Sequence, residues 1–326
     1  MLLAGDIGGT KTNLAIFNFK KNLKIETEAT FKSADYPSLE AVAQKFLNDA
    51  GVQVSKAVFG VAGPVVDGRS KITNLPWAMS ETDIAQTLDL EQVKLINDLE
   101  AIAYAVPHLS PADLAAINGD PAQANQPGHK AIIAPGTGLG EAVLFYQNDQ
   151  HYVLPSEGGH TDFGPTTSLQ LDLLRYLLPR FDHVSYERVC SGKGIQNIYA
   201  YLKDSHFAAE SPQVAQAISQ AADPTPIIAQ AGLAGTSQLC RATLDTFVSI
   251  LGAEAGNLAL KVMATGGIYL GGGIPPKILP GLQNGAFMAA FVNKGRFADI
   301  LQQMPVYVIL SNQTPLLGAA HYGVNL

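Results

Sequence analysis

Cysteine is scarce in this sequence of 326 residues, which contains only Cys190 and Cys240. A disulfide framework needs more cysteines, and a zinc site built on cysteine needs closely spaced pairs. The two thiols are therefore predicted to be reduced and mostly buried. Lysine and arginine form no run, and the net charge is −7. This charge balance gives no reason to expect nucleic acid or an anionic membrane surface as a partner.

Long apolar runs are missing as well. No segment reaches the roughly 20 apolar residues that a membrane-spanning helix requires. The N-terminal residues lack the basic region and the apolar run of a signal peptide. We therefore expect a soluble protein of the cytoplasm that has no membrane partner. Hydrophobic residues make up 47% of the chain, which is ample for a buried core, and the length suggests two domains.

Glycine, in contrast, recurs in three turns that follow apolar runs. The first glycine turn (residues 6–11) lies within LLAGDIGGTKTNLAIF, and the second (residues 135–140) lies within IIAPGTGLGEAVLF. Their flanking runs correspond, which suggests a weak internal repeat, with chance similarity of two hairpins as the alternative. The third (residues 271–273) ends GGIYLGGG. Backbone N–H groups in such turns can bind phosphate oxygens, and the missing Cβ lets a ligand approach closely.

The first glycine turn also carries charged side chains. Asp6 cannot bind phosphate directly because like charges repel, so its natural partner is a hydrated Mg²⁺ that bridges phosphate oxygens. Lys11 could contact a terminal phosphate or could be solvated. The turn is neither a Walker A motif nor a dinucleotide fingerprint, since a strand rather than a helix follows it. The third glycine turn could let an adenine or a ribose lie against the backbone.

Apolar periodicity predicts the element order β-β-β-α-β-α-β-α for the first third of the chain. An antiparallel hairpin that leads into strands alternating with helices indicates an α/β fold. Ser38 and Ser80 are predicted to cap the first two helices. Residues 107–129 are predicted to form a loop-dominated connection, after which the hairpin pattern restarts at Lys130. Helices predominate from about residue 168, and a small-residue helix is predicted over 316–324.

The order of several short motifs resembles that of a known family. DIGGT, GTGLG and GGG resemble the sugar kinase/Hsp70/actin ATPase superfamily. Within it, Asn97-Asp98, SEGGHTDF at 156–163, YERVCSGKG at 186–194 and NKGRF at 293–297 resemble bacterial glucokinase of the ATP-dependent type. The resemblance covers almost the whole chain. The related ROK sugar kinases carry a cysteine-rich zinc motif that is missing here, so the non-ROK type is favoured.

The resemblance implies a two-domain actin-like ATPase (ribonuclease H-like) α/β fold with a mixed sheet in each domain and a cleft between the domains. Residues 1–107 with 300–326 are expected to form the small domain, and residues 108–299 the large one. The implied reaction transfers the γ-phosphoryl group of ATP to the 6-hydroxyl of D-glucose. The implied cofactors and partners are ATP, Mg²⁺ and glucose, and the implied oligomer is a homodimer.

Five polar residues are predicted to bind or activate the sugar. Asp98 follows a strand, at the end where α/β sheets bind ligands. From the pattern alone, the N-cap of a helix is an equally plausible role for Asp98. The resemblance implies that Asp98 is the general base. Asn97 offers a donor and acceptors to a hydroxyl. Glu157 and His160 flank a Gly-Gly turn that can bring both onto one small ligand, with a metal pair as the weaker alternative. Glu187 is the third carboxylate contact that the resemblance implies, although the pattern alone favours a surface glutamate.

The predicted nucleotide-binding residues lie in the three glycine turns. They are Asp6, Ile7, Gly8, Gly9, Thr10 and Lys11 in the first, Gly136, Thr137 and Gly138 in the second, and Gly272 and Gly273 in the third. Thr137 and Gly138 are phosphate contacts by resemblance, and Asp6 is expected to bind Mg²⁺ through water. Residues 191–194 (SGKG) lie near nucleotide or sugar in similar kinases. Lys11 departs from the better-known pattern, which has an uncharged polar residue there.

Other functions remain open at this point. One is a kinase for a different hexose on the same scaffold, and another is a sugar-sensing protein without turnover. An Hsp70- or actin-like ATPase is disfavoured, because it would lack the predicted set of sugar-binding residues. The glycine turns do not exclude polyphosphate as the phosphoryl donor.

Overall fold

The computed structural model describes residues 1–19, 23–72 and 75–326. These form two compact units, Met1–Leu109 with Ser311–Leu326 (the first unit) and Ser110–Leu310 (the second unit). The predicted domains, 1–107 with 300–326 and 108–299, remain a prediction.

Both units contain strands and helices. The strands are β1 (Leu2–Ile7), β2 (Lys11–Asn18), β3 (Lys24–Lys32), β4 (Lys56–Val61), β5 (Arg69–Lys71), β6 (Ala78–Ser80), β7 (Gln92–Asn97), β8 (Leu114–Asn118), β9 (Lys130–Pro135), β10 (Leu139–Gln147), β11 (Gln150–Ser156), β12 (Gly267–Leu270) and β13 (Val306–Ile309). The helices are α1 (Leu39–Ala50), α2 (Glu81–Leu88), α3 (Asp98–Ala105), α4 (Ser168–Leu177), α5 (Gly192–Asp204), α6 (Pro212–Gln220), α7 (Thr225–Ala234), α8 (Gln238–Val262), α9 (Leu279–Leu282), α10 (Ala286–Val292), α11 (Ala298–Gln303) and α12 (Thr314–Val324).

The first unit is built on a five-stranded mixed sheet in the order β3-β2-β1-β4-β7. β1 pairs antiparallel with β2, whereas β1, β4 and β7 run parallel. The carboxyl ends of these three strands therefore lie at one edge of the sheet. At that edge Asp6 is in register with Gly60, and Val61 is in register with Asn97.

Caps and small residues determine how the helices of the first unit begin and pack. Ser38 and Ser80 cap α1 and α2 as predicted, and each hydroxyl accepts a hydrogen bond from the backbone N–H three residues later. The helix α12 packs against α3, β1 and β4. A Cβ at Gly318 would overlap the carbonyl oxygen of Ala101, so the close approach of α12 to α3 requires glycine there.

The second unit is built on a six-stranded mixed sheet in the order β11-β10-β9-β12-β13-β8. The long helix α8 forms the centre of its core and packs against α5, α7 and α10. Cys190 and Cys240 are free thiols buried in this core, as predicted. Within the described part of the chain, no helix has the length and apolar character needed to span a membrane.

The strand order of the first sheet recurs in the second. The strands β11-β10-β9-β12-β13 occupy the places of β3-β2-β1-β4-β7, with the same antiparallel and parallel pairings. Because the correspondence covers five strands, the weak repeat seen in the two glycine turns reflects a repeat of the whole sheet. Chance similarity of two hairpins does not account for it.

The structure corrects two predictions about connections. Residues 107–129 contain β8, which pairs antiparallel with β13 at the edge of the second sheet. Its sequence, LAAIN, has a single β-branched residue, so its strand pattern is weak. The loop of the first glycine turn is also shorter than predicted, because Asp6 and Ile7 belong to β1 and Lys11 begins β2. The short helices α9, α10 and α11 were not predicted.

Candidate functional site

Asp98 and Asn97 lie where β7 ends and α3 begins. The N-cap of α3 is Asn97 rather than Asp98: Asn97 Oδ1 accepts a hydrogen bond from the Leu99 backbone N–H at 2.9 Å. Asn97 Nδ2 donates to the Gly63 carbonyl oxygen at 3.1 Å. Asp98 is the first helical residue, and its Oδ1 also accepts from the Leu99 N–H at 2.9 Å. Asp98 is therefore not the N-cap that the pattern left open, although it shares the Leu99 N–H with Asn97.

Burial makes Asp98 a stronger base than a solvated aspartate. Burial, together with the negative charge of Asp6 and against the opposing hydrogen bond from the Leu99 N–H, raises the pKa of Asp98 to about 6. Close packing contributes to this burial. A Cβ at Gly60 would lie 3.0 Å from Ala101 Cβ and 3.8 Å from Asp98 Cα, so glycine at position 60 lets the start of α3 approach β4.

Asp6 is held at the same edge of the first sheet. Asn13 Nδ2 donates to Asp6 Oδ2 at 3.0 Å, and Thr30 Oγ1 donates to Asn13 Oδ1 at 2.8 Å. Burial raises the pKa of Asp6, although the hydrogen bond from Asn13 opposes the shift. A buried carboxylate of this kind gains stability from a nearby cation.

Ser33 supports the first glycine turn from one side. Its hydroxyl donates to the Gly8 carbonyl oxygen at 2.9 Å, and its backbone N–H donates to the Thr10 carbonyl oxygen at 3.1 Å. The Gly8 N–H donates to the Lys11 carbonyl oxygen at 2.9 Å. Gly8 and Gly9 are half-buried, and Thr10 and Lys11 are exposed. The side chain of Ile7 lies in the core, so only its backbone can reach a nucleotide.

The second glycine turn is tightly closed and faces open space. The Gly136 N–H donates to the Gly138 carbonyl oxygen at 2.8 Å, and the Gly192 N–H donates to the Gly136 carbonyl oxygen at 2.8 Å. A Cβ at Gly136 would meet no protein atom within 4 Å. Packing within the protein therefore does not require glycine at position 136, whereas a ligand lying against the turn would.

Gly138 is required by a different contact. A Cβ at this position would overlap the Glu187 carboxylate. Glu187 Oε2 accepts a hydrogen bond from the Leu139 backbone N–H at 3.0 Å, directly after the second glycine turn. Ser191 Oγ donates to the Glu187 carbonyl oxygen at 2.7 Å. Glu187 is therefore half-buried and fixed in position, not the surface glutamate that the pattern alone favoured.

Glu157 and His160 belong to a short 3-10 turn that packs beside Glu187. The His160 N–H donates to the Glu157 carbonyl oxygen at 3.0 Å, and both side chains are exposed. A Cβ at Gly159 would overlap the Leu139 carbonyl oxygen. The backbone of Leu139 thus organises both turns. Its N–H donates to Glu187, and its carbonyl oxygen packs against the Gly-Gly turn.

The described residues include no group of three or more His, Cys, Asp or Glu side chains that could hold a metal ion. The structure instead packs the turn of Glu157 and His160 beside the turn of Glu187 in the second unit. In the first unit it brings together Asp6, Asn97 and Asp98.

A cavity of about 750 Å³ in the second unit joins the second and third glycine turns. The residues that line it are Gly136, Thr137, Gly192, Lys193, Ile195, Gln196, Ala222, Asp223, Thr225, Pro226, Ala229, Gln230, Gly273, Ile274, Lys277 and Ile278. A Cβ at Gly273, like one at Gly136, would point into open space. Gly272 has φ +79°, a conformation that favours glycine.

Several polar residues of this cavity were not predicted from the sequence. The Thr225 backbone N–H donates to Asp223 Oδ1 at 3.0 Å, and Gln196 Nε2 donates to Thr225 Oγ1 at 3.0 Å. Thr225 Oγ1 in turn donates to the Gly192 carbonyl oxygen at 3.1 Å. The available signal was that the SGKG motif (191–194) supplies the N-cap and the first residues of α5, which places Gln196 one turn into that helix. No comparable signal marks Asp223.

Comparisons with known proteins identify one family, and a more distant solved structure shares the fold. The glucokinase family model matches residues 3–326. A glucokinase of Trichormus variabilis is 42% identical over 336 residues, covering 98% of each chain. The crystal structure of a glucokinase from an Antarctic psychrotroph has a TM-score of 0.85 at 34% identity, covering 100% of this chain and 99% of that one. A ROK family glucokinase from Streptomyces griseus in complex with glucose and AMPPNP has a TM-score of 0.65 at 18% identity, covering 100% and 99%.

Proposed function

The chain belongs to the glucokinase family, as its motifs predicted, and we propose that it transfers the γ-phosphoryl group of ATP to the 6-hydroxyl of D-glucose. The products are glucose 6-phosphate and ADP. The observation that carries the proposal within this chain is the Asp98 carboxylate. It lies at the carboxyl end of β7, is not the N-cap of α3, and has a pKa raised to about 6.

Asp98 is the proposed general base. At neutral pH a carboxyl group with this pKa is ionised, and it is a stronger proton acceptor than a solvated aspartate. The 6-hydroxyl oxygen forms a bond to the γ-phosphorus, and its proton passes to Asp98. The bond from the γ-phosphorus to the β–γ bridging oxygen breaks, and ADP leaves with that electron pair.

Asn97, Asp98, Glu157, His160 and Glu187 are the proposed glucose-binding residues. Carboxylate oxygens accept hydrogen bonds from sugar hydroxyls, and the fixed position of Glu187 on the Leu139 N–H reduces the cost of ordering it on binding. A sugar that lacks the matching hydroxyl leaves a polar group unpaired, at a cost of about 1–3 kcal/mol for each contact. Several such contacts discriminate strongly between hexoses.

ATP is the proposed phosphoryl donor. The three glycine turns supply Asp6, Ile7, Gly8, Gly9, Thr10, Lys11, Gly136, Thr137, Gly138, Gly272 and Gly273 as its predicted contacts. The cavity of about 750 Å³ that joins the second and third turns has the size of a small-molecule site and is partly lined by apolar side chains such as Ile195 and Ile278. Apolar lining favours a nucleoside, because polyphosphate has no apolar group that could contact it. The Streptomyces griseus protein of the same fold was crystallised with AMPPNP, which further supports a nucleotide.

Asp6 fits the predicted role of holding Mg²⁺ through water. Its carboxylate is largely buried and receives one hydrogen bond, from Asn13, which leaves acceptor capacity for a hydrated cation. Since the described residues offer no three-ligand group, the ion would be held mainly by phosphate oxygens and water. Bound Mg²⁺ would neutralise phosphate charge. The cytoplasmic location and the homodimer remain predictions.

The proposal is tested by measuring ADP release from Mg·ATP with a panel of hexoses, using the unmodified protein, Asp98→Asn and Asp83→Asn. Asp83 is a matched control because it is an exposed acid in the first turn of α2. We expect fast turnover with glucose, at least a hundredfold loss in Asp98→Asn with glucose binding retained, and normal turnover in Asp83→Asn. Fast turnover with another hexose would reassign the substrate. Glucose binding without turnover in the unmodified protein would favour a sugar sensor.

A further inference from the structure

Two carboxylic acids are buried in the second unit away from the proposed reacting groups. Glu141 in β10 is 2% exposed, and Glu254 in the middle of α8 is fully buried. The Oε1 atom of each has no hydrogen-bond partner among the described residues. Lys261 Nζ lies 3.5 Å from Glu254 Oε1 and partly balances its charge. Burying acids is costly, so their presence here calls for a reason other than packing.

Glu254 connects to the turn that carries Glu187. Asn257 Nδ2 donates to Glu254 Oε2 at 2.8 Å and lies 3.1 Å from Tyr186 Oη. Burial, the charge of Glu254 and a hydrogen bond to Glu254 all raise the pKa of Tyr186. Tyr186 directly precedes Glu187 and is 4% exposed. Its ring therefore anchors the Glu187 backbone to α8.

Glu141 supports the other sugar-binding turn. A Cβ at Gly158 would overlap Glu141 Oε2, so the carboxyl group of Glu141 lies directly beneath the residue that follows Glu157. Glu254 and Glu141 also interact electrostatically: burial and the charge of Glu254, opposed by Lys261, together raise the pKa of Glu141 to about 7. Burial raises the pKa of the Cys190 thiol, and the charges of the same two acids add to this effect.

We propose that Glu141, Tyr186, Glu254 and Asn257 form a buried polar cluster that positions both glucose-binding turns, with Glu141 beneath Gly158 and Tyr186 directly before Glu187. These are positioning residues and do not contact the reacting atoms. The inference rests on the proposed function, because it assigns glucose to those turns. The cluster requires Glu141 to be neutral, since a second negative charge beside Glu254 would push the two acids apart and displace Gly158.

The first test compares two buried tyrosines whose hydroxyl groups form hydrogen bonds within the second unit. Tyr186→Phe removes the anchor of Glu187, and Tyr199→Phe is the matched control, since Tyr199 is 6% exposed and donates to Glu210 at 2.8 Å in the same unit. Glucose binding is measured by calorimetry, and unfolding midpoints are measured in urea. We expect Tyr186→Phe to weaken glucose binding about tenfold and to leave the KM for ATP within twofold. Tyr199→Phe should bind glucose normally.

The second test distinguishes a displaced glucose-binding turn from a general loss of folding. Glu141→Gln keeps the shape of the neutral acid and should preserve glucose affinity at pH 6, whereas Glu141→Ala should weaken it about tenfold. Raising the pH from 6 to 9 should weaken glucose binding by the unmodified protein relative to Glu141→Gln. The comparison cancels the effects of the groups that are common to both proteins.

The outcomes distinguish a failure of the proposed function from a failure of the positioning role. If the unmodified protein does not bind glucose, the proposed function fails. If it binds glucose, but Tyr186→Phe binds as well as Tyr199→Phe, the positioning role is refuted. Should Tyr186→Phe not fold, the Glu141 variants decide the matter, and equal pH dependence of glucose binding in Glu141→Gln and the unmodified protein overturns the proposal.

Discussion

Replacing Asp98 by asparagine is expected to stabilise the protein at neutral pH while removing turnover. The folded-state pKa of about 6 lies about two pH units above the ordinary value of 3.8. A raised carboxyl pKa means that folding disfavours the ionised form, so the cost is absent below the unfolded pKa and grows until the pH passes the folded pKa. Two pH units correspond to about 3 kcal/mol. Asparagine avoids this cost, and its Oδ1 can still accept the hydrogen bond from the Leu99 N–H.

The measurement is urea unfolding of the unmodified protein and Asp98→Asn at pH 5, 6, 7 and 8, with ADP release assayed on the same samples. The difference in unfolding free energy should rise from pH 5 to pH 7 and then level off at no more than about 3 kcal/mol. Asp83→Asn should show no such rise, because this acid is exposed. If Asp98→Asn is less stable than the unmodified protein at pH 7 and 8, burial does not raise the pKa of Asp98 and the reasoning is wrong.

Further predictions follow from the same contacts. The kcat of the unmodified protein should fall as the pH drops through about 6, because Asp98 becomes protonated and can no longer accept a proton; a pH–rate profile without this decline would contradict the role of a base. Gly136→Val should raise the KM for ATP at least tenfold and leave the unfolding midpoint unchanged, since its side chain would enter open space; steady-state kinetics and urea unfolding check this. Gly138→Ala should instead weaken glucose binding, because its Cβ would displace the Glu187 carboxylate, and calorimetry with glucose would show it. Glu141→Gln should be more stable than the unmodified protein by up to about 3 kcal/mol at pH 7–8. This difference in unfolding free energy should vanish near pH 4.5, because Glu141 becomes neutral in both the folded and the unfolded state. Equal stability at all pH values in urea unfolding would show that ionising Glu141 does not destabilise the folded protein.

Local patterns predicted most elements of the fold. Ser38 and Ser80 cap their helices as predicted, because a cap is a contact between residues three apart and can be read from the sequence. The strand β8 escaped prediction, since it is short, lies at a sheet edge and is stabilised by pairing with β13, almost 190 residues later. The predicted loop of the first glycine turn is too long for a similar reason. Pairing with β4 extends β1 through Asp6 and Ile7, and the glycine pattern does not reveal that pairing.

The sequence by itself determined the family, the α/β class and the residue types of the site, because these reside in short motifs and in local periodicity. The tertiary structure decided what those residues do to one another. It made Asn97 the cap of α3 and left Asp98 as a partly buried base. It joined Glu187 to the Leu139 N–H across 48 positions. Burial and contacts between distant segments set pKa values and orientations, and such contacts have no local signature in the chain.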